Sequence, residues 1–307
     1  MRYTPRAAFA ACLLLIGLAR CGEVAATPSK EAPTIGLTPI PALSLPDVNP
    51  ILEKSKLPIP LATKEQIADI LKHAATGGIP IPRLEEEEEN RIFDSSVLLM
   101  ITTPDNTFLC NGALLEDKSV VTADHCNGDS VTGDISVNIT DVNGGLATSS
   151  SIVPIGSSDI MLVKTDLATD SLTGKGLKVG SIRDNQINDP LHFFYFKLDS
   201  DGNYYAAQTS GVYIGALTNN ALGVSVEGYA ETGISTENSF LVIIRDELVN
   251  GNSGLTVTNQ NGEIVGVLGG SRAVTVPINI RDDAGNEQKA NAIFNLAVVT
   301  RTDITQK

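Results

Sequence analysis

The chain has 307 residues and a formal net charge of −14 at pH 7, with 22 Lys and Arg against 36 Asp and Glu. That length suits one large domain or two small ones with extensions, and the acidic balance argues against nucleic acid as a partner. Trp is absent, aromatic residues make up 5 %, and Gly numbers 27, a composition that predicts many short strands and turns and so a mostly β protein.

The N-terminus has the pattern of an export signal. Arg2 and Arg6 precede an apolar stretch over residues 7–19, and Val24-Ala25-Ala26 offers the small residues that a signal peptidase requires. The apolar stretch is too short to span a bilayer comfortably. We therefore predict that residues 1–26 are a signal peptide, that the mature chain begins near Thr27 without a transmembrane segment, and that the protein is secreted or periplasmic.

The cysteines divide into two pairs. Cys12 and Cys21 lie in or beside the signal, and Cys21 is an alternative site of lipid attachment, although a charged Arg20 stands where a lipobox has a small residue. Cys110 and Cys126 remain, and in an oxidising compartment they are the expected disulfide partners. A zinc site is the rival interpretation, but one His-Cys pair with one distant Cys is not usual ligand spacing. We expect no metal and no cofactor.

Residues 27–91 form the second predicted section, an extension of largely irregular structure. Proline is frequent over residues 27–61, which favours an extended linker. Thr63 and Gln66 have capping-box spacing and precede a helical period, which predicts one short helix. Glu85–Glu89 is predicted to be an exposed acidic connector. Whether this section is a propeptide or a spacer is left open by the sequence.

The remaining residues, 92–302, read as one globular β region. Short apolar runs are separated by turn signals rich in Asn, Asp and Gly, and helical periodicity is weak. This pattern predicts a β-sandwich or a pair of antiparallel barrels.

The first motif with chemical meaning surrounds a histidine. An apolar run containing Cys110 is followed by Val120-Val121-Thr122-Ala123-Asp124-His125-Cys126. A disulfide would hold His125 at the end of the second run. An imidazole with a pKa of about 6.5 and a reproducible position is suited to proton transfer, whereas an isolated histidine would more often be structural.

The second motif is the tetrapeptide Gly251-Asn252-Ser253-Gly254. A nucleophilic serine needs a tight turn that exposes its hydroxyl and aims backbone N–H groups at a developing oxyanion. The N–H groups of Gly251 and Ser253 are the predicted donors. Taken alone, the tetrapeptide is a common turn.

The third motif is Ser158-Asp159 at the head of an apolar run. A buried carboxylate in that place can accept the imidazole N–H and stabilise the imidazolium. Candidates that compete for the same role are Asp134, Asp141 and Asp166.

Together the three motifs resemble those of trypsin-like serine peptidases, closer to bacterial-type members, and occur in the chymotrypsin order His, Asp, Ser. The resemblance implies an all-β fold of two six-stranded antiparallel barrels, about 92–185 and 186–302, with the active site in the cleft between them. It also implies that a triad of His125, Asp159 and Ser253 hydrolyses protein or peptide substrates through an acyl-enzyme. Alternatives are a non-catalytic binding or adhesion module on this fold, or an esterase with the same triad.

The resemblance also implies a substrate site. Gly269-Gly270-Ser271 would be the substrate-binding edge, and Glu247 would lie where trypsin-like enzymes carry a pocket acid. A buried acid would favour a basic substrate residue. The alternative is that Asp246 and Glu247 are exposed loop acids.

Two departures from the family pattern concern electrostatics and activation. Asp124 replaces a small residue beside His125, and Asn252 replaces the Asp that pairs with a newly released amino terminus in animal zymogens. Arg91-Ile92 still resembles a trypsin-type activation bond. Because a neutral amide cannot form that ion pair, a cut near Arg91 is expected to act by relieving occlusion.

Overall fold

A computed structural model describes residues 59–60, 62–63, 65–67, 69–70, 73, 81–128, 135–166, 170–198, 203–217, 234–235, 237–244, 248, 252–281 and 287–303. The predictions for the export signal, the start near Thr27 and lipidation at Cys21 fall outside these residues. Among the described residues, no helix has the length and apolarity needed to cross a membrane.

The first structural unit is an antiparallel sheet that folds almost into a barrel. Its strands, in the order β5-β4-β1-β2-β3-β7-β6, are β1 (Ser96–Thr102), β2 (Thr107–Leu114), β3 (Ser119–Thr122), β4 (Ser136–Asp141), β5 (Leu146–Ser149), β6 (Ser151–Pro154) and β7 (Met161–Lys164). The two edge strands β5 and β6 are separated only by Ser150. Because consecutive residues connect the two edges, the sheet curls back on itself.

The second unit is a closed antiparallel barrel. Its strands, in the order β10-β13-β12-β11-β8-β9, are β8 (Pro190–Leu198), β9 (Tyr204–Ala216), β10 (Ser239–Ile244), β11 (Thr256–Thr258), β12 (Ile264–Arg281) and β13 (Glu287–Arg301). Alternate residues of β8, such as Leu191, Phe193 and Tyr195, belong to one buried cluster, as expected when one strand face lines a barrel interior. The predicted all-β architecture is confirmed.

The predicted short helix is present at its described residues, 65–67, 69–70 and 73. Its capping box is formed as the sequence predicts. The Thr63 N–H donates to Oε1 of Gln66 at 2.9 Å, and the Gln66 N–H donates to Oγ1 of Thr63 at 3.2 Å. Each side chain thus satisfies a backbone donor that the first helical turn leaves unpaired.

The extension is not a loose linker over its described part. Ile59 and Ile70 are 5 % and 4 % exposed, and both join apolar clusters of the second barrel. The carbonyl of Pro60 accepts a hydrogen bond from the N–H of Ala216 in β9 at 2.8 Å. Apolar burial therefore makes this part of the extension a cover for the second barrel.

The acidic run was predicted to be an exposed connector; Glu85, Glu86 and Glu87 are exposed as predicted, but the run begins a helix. Glu86–Glu89 form the first turn of helix α1 (Glu86–Ser95), where negative charge is favoured by the helix dipole. Ile92 of the same helix is fully buried in the first barrel's core. Phe93 packs edge-on against Phe194 of β8 with ring centroids 4.9 Å apart. Burial of Ile92 and the packing of the partly buried Phe93 favour the helix, and local charge patterning does not report either contact.

Candidate active site

The predicted disulfide joins Cys110 and Cys126 with their Cα atoms 6.3 Å apart. Cys110 lies in β2, and Cys126 lies in a 3₁₀ helix, Asp124–Asn127, that directly follows β3. In the chain-entropy model a loop of this size is worth roughly 3 kcal/mol. The bond fixes the short helix, and with it His125, against β2.

Asp159 lies beside His125 because β3 and β7 are paired. Thr122 of β3 stands opposite Met161 of β7, so the residues just outside those ends meet. Nδ1 of His125 is 2.9 Å from both carboxylate oxygens of Asp159, and the backbone N–H of His125 donates to Oδ1 at 3.0 Å. The Asp159 carboxylate is 1 % exposed, so its contacts with His125 take the place of solvent.

The two competing acids that the structure describes, Asp141 and Asp166, lie elsewhere. Asp141 accepts hydrogen bonds from the N–H groups of Asn143, Gly145 and Thr173 and so stabilises the turn after β4. Asp166 follows the far end of β7, and Asp134 is outside the described residues. Asp159 is the acid that the fold brings to the histidine.

Opposing effects set the protonation of His125. Burial alone lowers its pKa, but the hydrogen bond and charge of Asp159 raise it, and the charge of Asp124 raises it further. The balance leaves the His125 pKa above its usual value of 6.5. Since Nδ1 faces a carboxylate, it carries the proton in the neutral ring, and Nε2 is the nitrogen free to accept another.

Ser253 lies in a tight turn before β11 and is half-buried. The next residue, Gly254, has φ of +77°, and a Cβ there would collide with the carbonyl oxygen of Asn111 and Oγ1 of Thr122. Glycine is therefore required at that position. Since Thr122 ends the strand that leads to His125, the serine turn packs on the segment that carries the histidine.

Asn111 is a site residue that the sequence interpretation missed. Its N–H donates to the carbonyl of Ser253 at 2.8 Å, and its side-chain Oδ1 accepts from the N–H of Phe196 in β8 at 2.6 Å. Its own carbonyl accepts from the Thr122 hydroxyl at 2.6 Å. The residue is 1 % exposed and ties the serine turn to both barrels. The available signal was an amide inside an otherwise apolar run, since buried polar groups are normally hydrogen-bonded.

The predicted substrate edge also begins at this site. The N–H of Gly254 donates to the carbonyl of Leu268 at 3.2 Å. The pairing of β12 shifts register between Leu268 and Gly270. A Cβ on Gly269 would come within 2.8 Å of Oδ2 of Asp159, so this glycine allows β12 to pass close to the carboxylate. Ser271 follows and donates from its hydroxyl to the carbonyl of Leu248 at 3.2 Å.

Several predicted site residues lie outside the described part of the chain. They are Gly251, the proposed oxyanion donor, and Asp246 and Glu247, the candidate pocket acids. Asn252 is described and is 4 % exposed. The roles of these four residues stay predictions. In the part of the chain that the structure describes, no group of three or more His, Cys, Asp or Glu side chains is arranged to hold a metal ion.

The candidate activation bond lies inside α1. Ile92 is fully buried, and the Arg91 guanidinium donates to the Glu88 carboxylate and, at 3.2 Å, to the carbonyl of Gly262. A protease reaches a bond in this setting only after the helix unwinds.

Comparison with known proteins adds likenesses of fold. No protein-family model and no curated protein matches the chain. Among solved structures, Deg5 is 19 % identical, with 61 % of this chain and 87 % of that one covered and a TM-score of 0.43. An HL collagenase is 20 % identical, covering 69 % and 89 %, with a TM-score of 0.45. An inactivated protease paralogue of the scabies mite is 13 % identical, covering 68 % and 88 %, with a TM-score of 0.47.

The strand pairing itself defines two antiparallel barrels. The leaning towards bacterial-type members stays a prediction. One closed antiparallel barrel and one nearly closed barrel, with His125 and Asp159 on the first and Ser253 on the second, give this chain the chymotrypsin-like fold of the trypsin-like serine peptidases.

Proposed function

We propose that this protein is an exported serine endopeptidase that hydrolyses peptide bonds by a His125–Asp159–Ser253 triad. The observation that carries the proposal is the buried Asp159 carboxylate, whose oxygens lie 2.9 Å from Nδ1 of His125. A surface histidine in a merely structural role has no need of such a partner. The adjoining turn, on the opposite barrel, carries Ser253, which is half-buried.

In the proposed reaction, Nε2 of His125 takes the hydroxyl proton of Ser253 while the serine oxygen attacks the substrate carbonyl. Asp159 holds the imidazole in the required tautomer and stabilises the imidazolium. The N–H groups of Ser253 and Gly251 donate to the oxyanion. The proton then passes to the departing amine, which leaves an acyl-enzyme. Water then attacks the acyl carbon while Nε2 of His125 takes a water proton; the bond to the Ser253 oxygen breaks, and the proton passes to that oxygen as the acid product leaves.

A fluorophosphonate probe tests the proposal directly. We expect covalent labelling of Ser253, located by mass spectrometry, together with cleavage of unfolded casein. An unlabelled Ser253 would favour a binding or adhesion module on this fold. Labelling with hydrolysis of esters but of no peptide would favour an esterase.

The charge of Asp124 gives a testable pH dependence. His125 must be neutral to accept the serine proton, so activity is lost as the pH falls through its pKa. Asp124 raises that pKa. In the variant Asp124→Asn the His125 pKa is therefore lower, and the acidic limb of the kcat/KM profile moves to lower pH. The Asn side chain keeps an oxygen that can accept the hydrogen bond which Asn127 donates to Asp124 at 3.1 Å.

The measurement is kcat/KM against pH for wild type and variant at one ionic strength. The matched control is Asp105→Asn, which removes the same charge at an exposed position that does not act on His125. An unchanged acidic limb in Asp124→Asn, or an equal shift in the control, contradicts the assignment.

A further prediction concerns maturation, namely whether residues 27–91 are removed by a cut near Arg91. If residues 27–91 are a propeptide cut near Arg91, the variant Arg91→Gln should accumulate as an inactive longer chain. The burial of Ile92 and the packing of Ile59 and Ile70 on the second barrel lead us to expect the contrary result. We expect Arg91→Gln to be active with the N-terminus of wild type, because release would expose apolar surface. N-terminal sequencing and casein cleavage check this, and an inactive, uncut variant supports the propeptide.

A further inference from the structure

Strand β12 is long, and only its first few residues are paired with a strand on each side. It runs for 18 residues, Ile264–Arg281, and β13 pairs with it from Gly266 to Arg281. On its other side β11 reaches only as far as Val267. Beyond the contacts of Leu268, no strand among the described residues pairs with that second edge.

A proline indicates which backbone groups face this free edge. Pro277 stands opposite Asn291 within the β12–β13 ladder. Because proline has no N–H, it is accommodated where its nitrogen points away from the neighbouring strand. The direction of the backbone groups alternates along a strand. The N–H and C=O groups of Ser271, Ala273 and Thr275 therefore point to the free edge, and Pro277 ends the row of donors.

The free edge starts at the catalytic residues and leads away from them. Leu268 is hydrogen-bonded to the serine turn, and Gly269 lies against Asp159. Further along, Ala273 and Thr275 are exposed, while Val274 between them is buried and anchors the strand. A peptide lying in the site is thus continuous with a strand edge that no described strand covers, over roughly 20 Å between Gly269 and Thr275 at about 3.3 Å per residue.

We propose that Ala273 and Thr275 bind an extended polypeptide substrate far upstream of the cleaved bond, as an antiparallel strand added to β12. This inference rests on the proposed peptidase function. The reference point is the substrate residue that pairs with Ser271. Ala273 pairs with the residue two positions upstream of that residue, and Thr275 pairs with the residue four positions upstream of it. Since main-chain groups make these contacts, the ligand is any unfolded or extended segment long enough to reach them.

The alternation gives a sharp test on the unaltered protein. A peptide is taken from a site that the enzyme cuts in unfolded casein, and the amide nitrogens upstream of the cut are methylated one at a time. We expect kcat/KM to fall about fivefold at every second position and to stay unchanged between them, the size of one lost hydrogen bond. The unaffected positions are the internal control. A flat series, or losses without a period of two, overturns the inference.

A protein variant tests the same edge from the other side. Ala273→Pro removes one donor in the way that Pro277 already does. We expect the ratio of kcat/KM for a long peptide to that for a peptide truncated after the Ser271 contact to fall about fivefold. The control is Ile293→Ala on β13, a 73 % exposed side chain whose change leaves every backbone donor in place. An unchanged ratio in Ala273→Pro counts against the inference.

The outcomes separate this inference from the proposed function. Casein cleavage without alternation refutes the extended edge and leaves the peptidase proposal standing. A protein that labels with fluorophosphonate but cuts no casein site refutes both.

Discussion

Replacing Ser253 by alanine is expected to abolish peptide hydrolysis and to leave the fold intact. The serine oxygen is the atom that the acyl-enzyme is built on, so no other group in the site takes over its role. Loss of the nucleophile in a triad lowers kcat by about 10⁶-fold. Ser253 is half-buried in a turn held by backbone hydrogen bonds to Asn111 and Leu268, and those bonds do not involve its hydroxyl. The free energy of unfolding should change by no more than about 0.5 kcal/mol.

The measurement pairs casein or peptide hydrolysis with thermal unfolding. The matched control is Ser151→Ala, the same substitution at an exposed position in β6, which should keep full activity. Hydrolysis by Ser253→Ala at a rate near that of wild type would rule out the triad. Loss of activity with a collapsed unfolding temperature would instead show a structural role for the serine.

Replacing Asp159 by asparagine should cost about 10⁴-fold in kcat. An amide at that position offers its NH₂ or its oxygen to His125, and either choice disturbs the arrangement. If the NH₂ faces Nδ1, the ring proton moves to Nε2, which then cannot accept the proton of Ser253. If the oxygen faces Nδ1, the tautomer is kept, but the imidazolium loses its counter-charge. The His125 pKa, which Asp159 raises, should also fall, so the acidic limb of the residual activity moves to lower pH.

Asp141→Asn provides the control, because Asp141 is as deeply buried as Asp159, with 0 % of the residue exposed against 1 %. Its carboxylate stabilises a turn through the N–H groups of Asn143, Gly145 and Thr173 and has no contact with His125. We expect Asp141→Asn to lower the unfolding temperature while the folded protein keeps its kcat. We expect Asp159→Asn to lose kcat while its unfolding temperature changes less. If Asp141→Asn lost kcat and Asp159→Asn kept it, the assignment of Asp159 as the catalytic acid would be wrong.

Short-range patterns predicted much of this protein correctly. The capping box of Thr63 and Gln66 involves residues three positions apart, so its hydrogen bonds form whenever the helix begins there. Cys110 and Cys126 were the only cysteines left outside the signal region, and they are bonded. Turn residues between short apolar runs indicated strands for the same local reason.

The acidic run shows a place where the local pattern predicted exposed side chains but not the helix that carries them. Five glutamates in succession, Glu85–Glu89, repel one another in an isolated peptide and suggest a solvated connector. In the folded chain, Ile92 is buried in the first barrel's core, and Phe93 packs against Phe194 of the second barrel. Their burial offsets the repulsion, and the helix dipole reduces it.

From the sequence came the β class and the expected disulfide, because each depends on residues close together in the chain. The nomination of His125, Asp159 and Ser253 came from the resemblance of three short motifs to those of trypsin-like peptidases. Tertiary structure alone decided that Asp159, and not Asp141 or Asp166, faces His125, since the register of β3 against β7 makes that choice. It also revealed Asn111 as the hydrogen-bonded link between the serine turn and both barrels. The free edge of β12 is likewise a feature that only the tertiary structure reveals. Partners separated by tens of residues are set by strand pairing and packing, which no local pattern encodes.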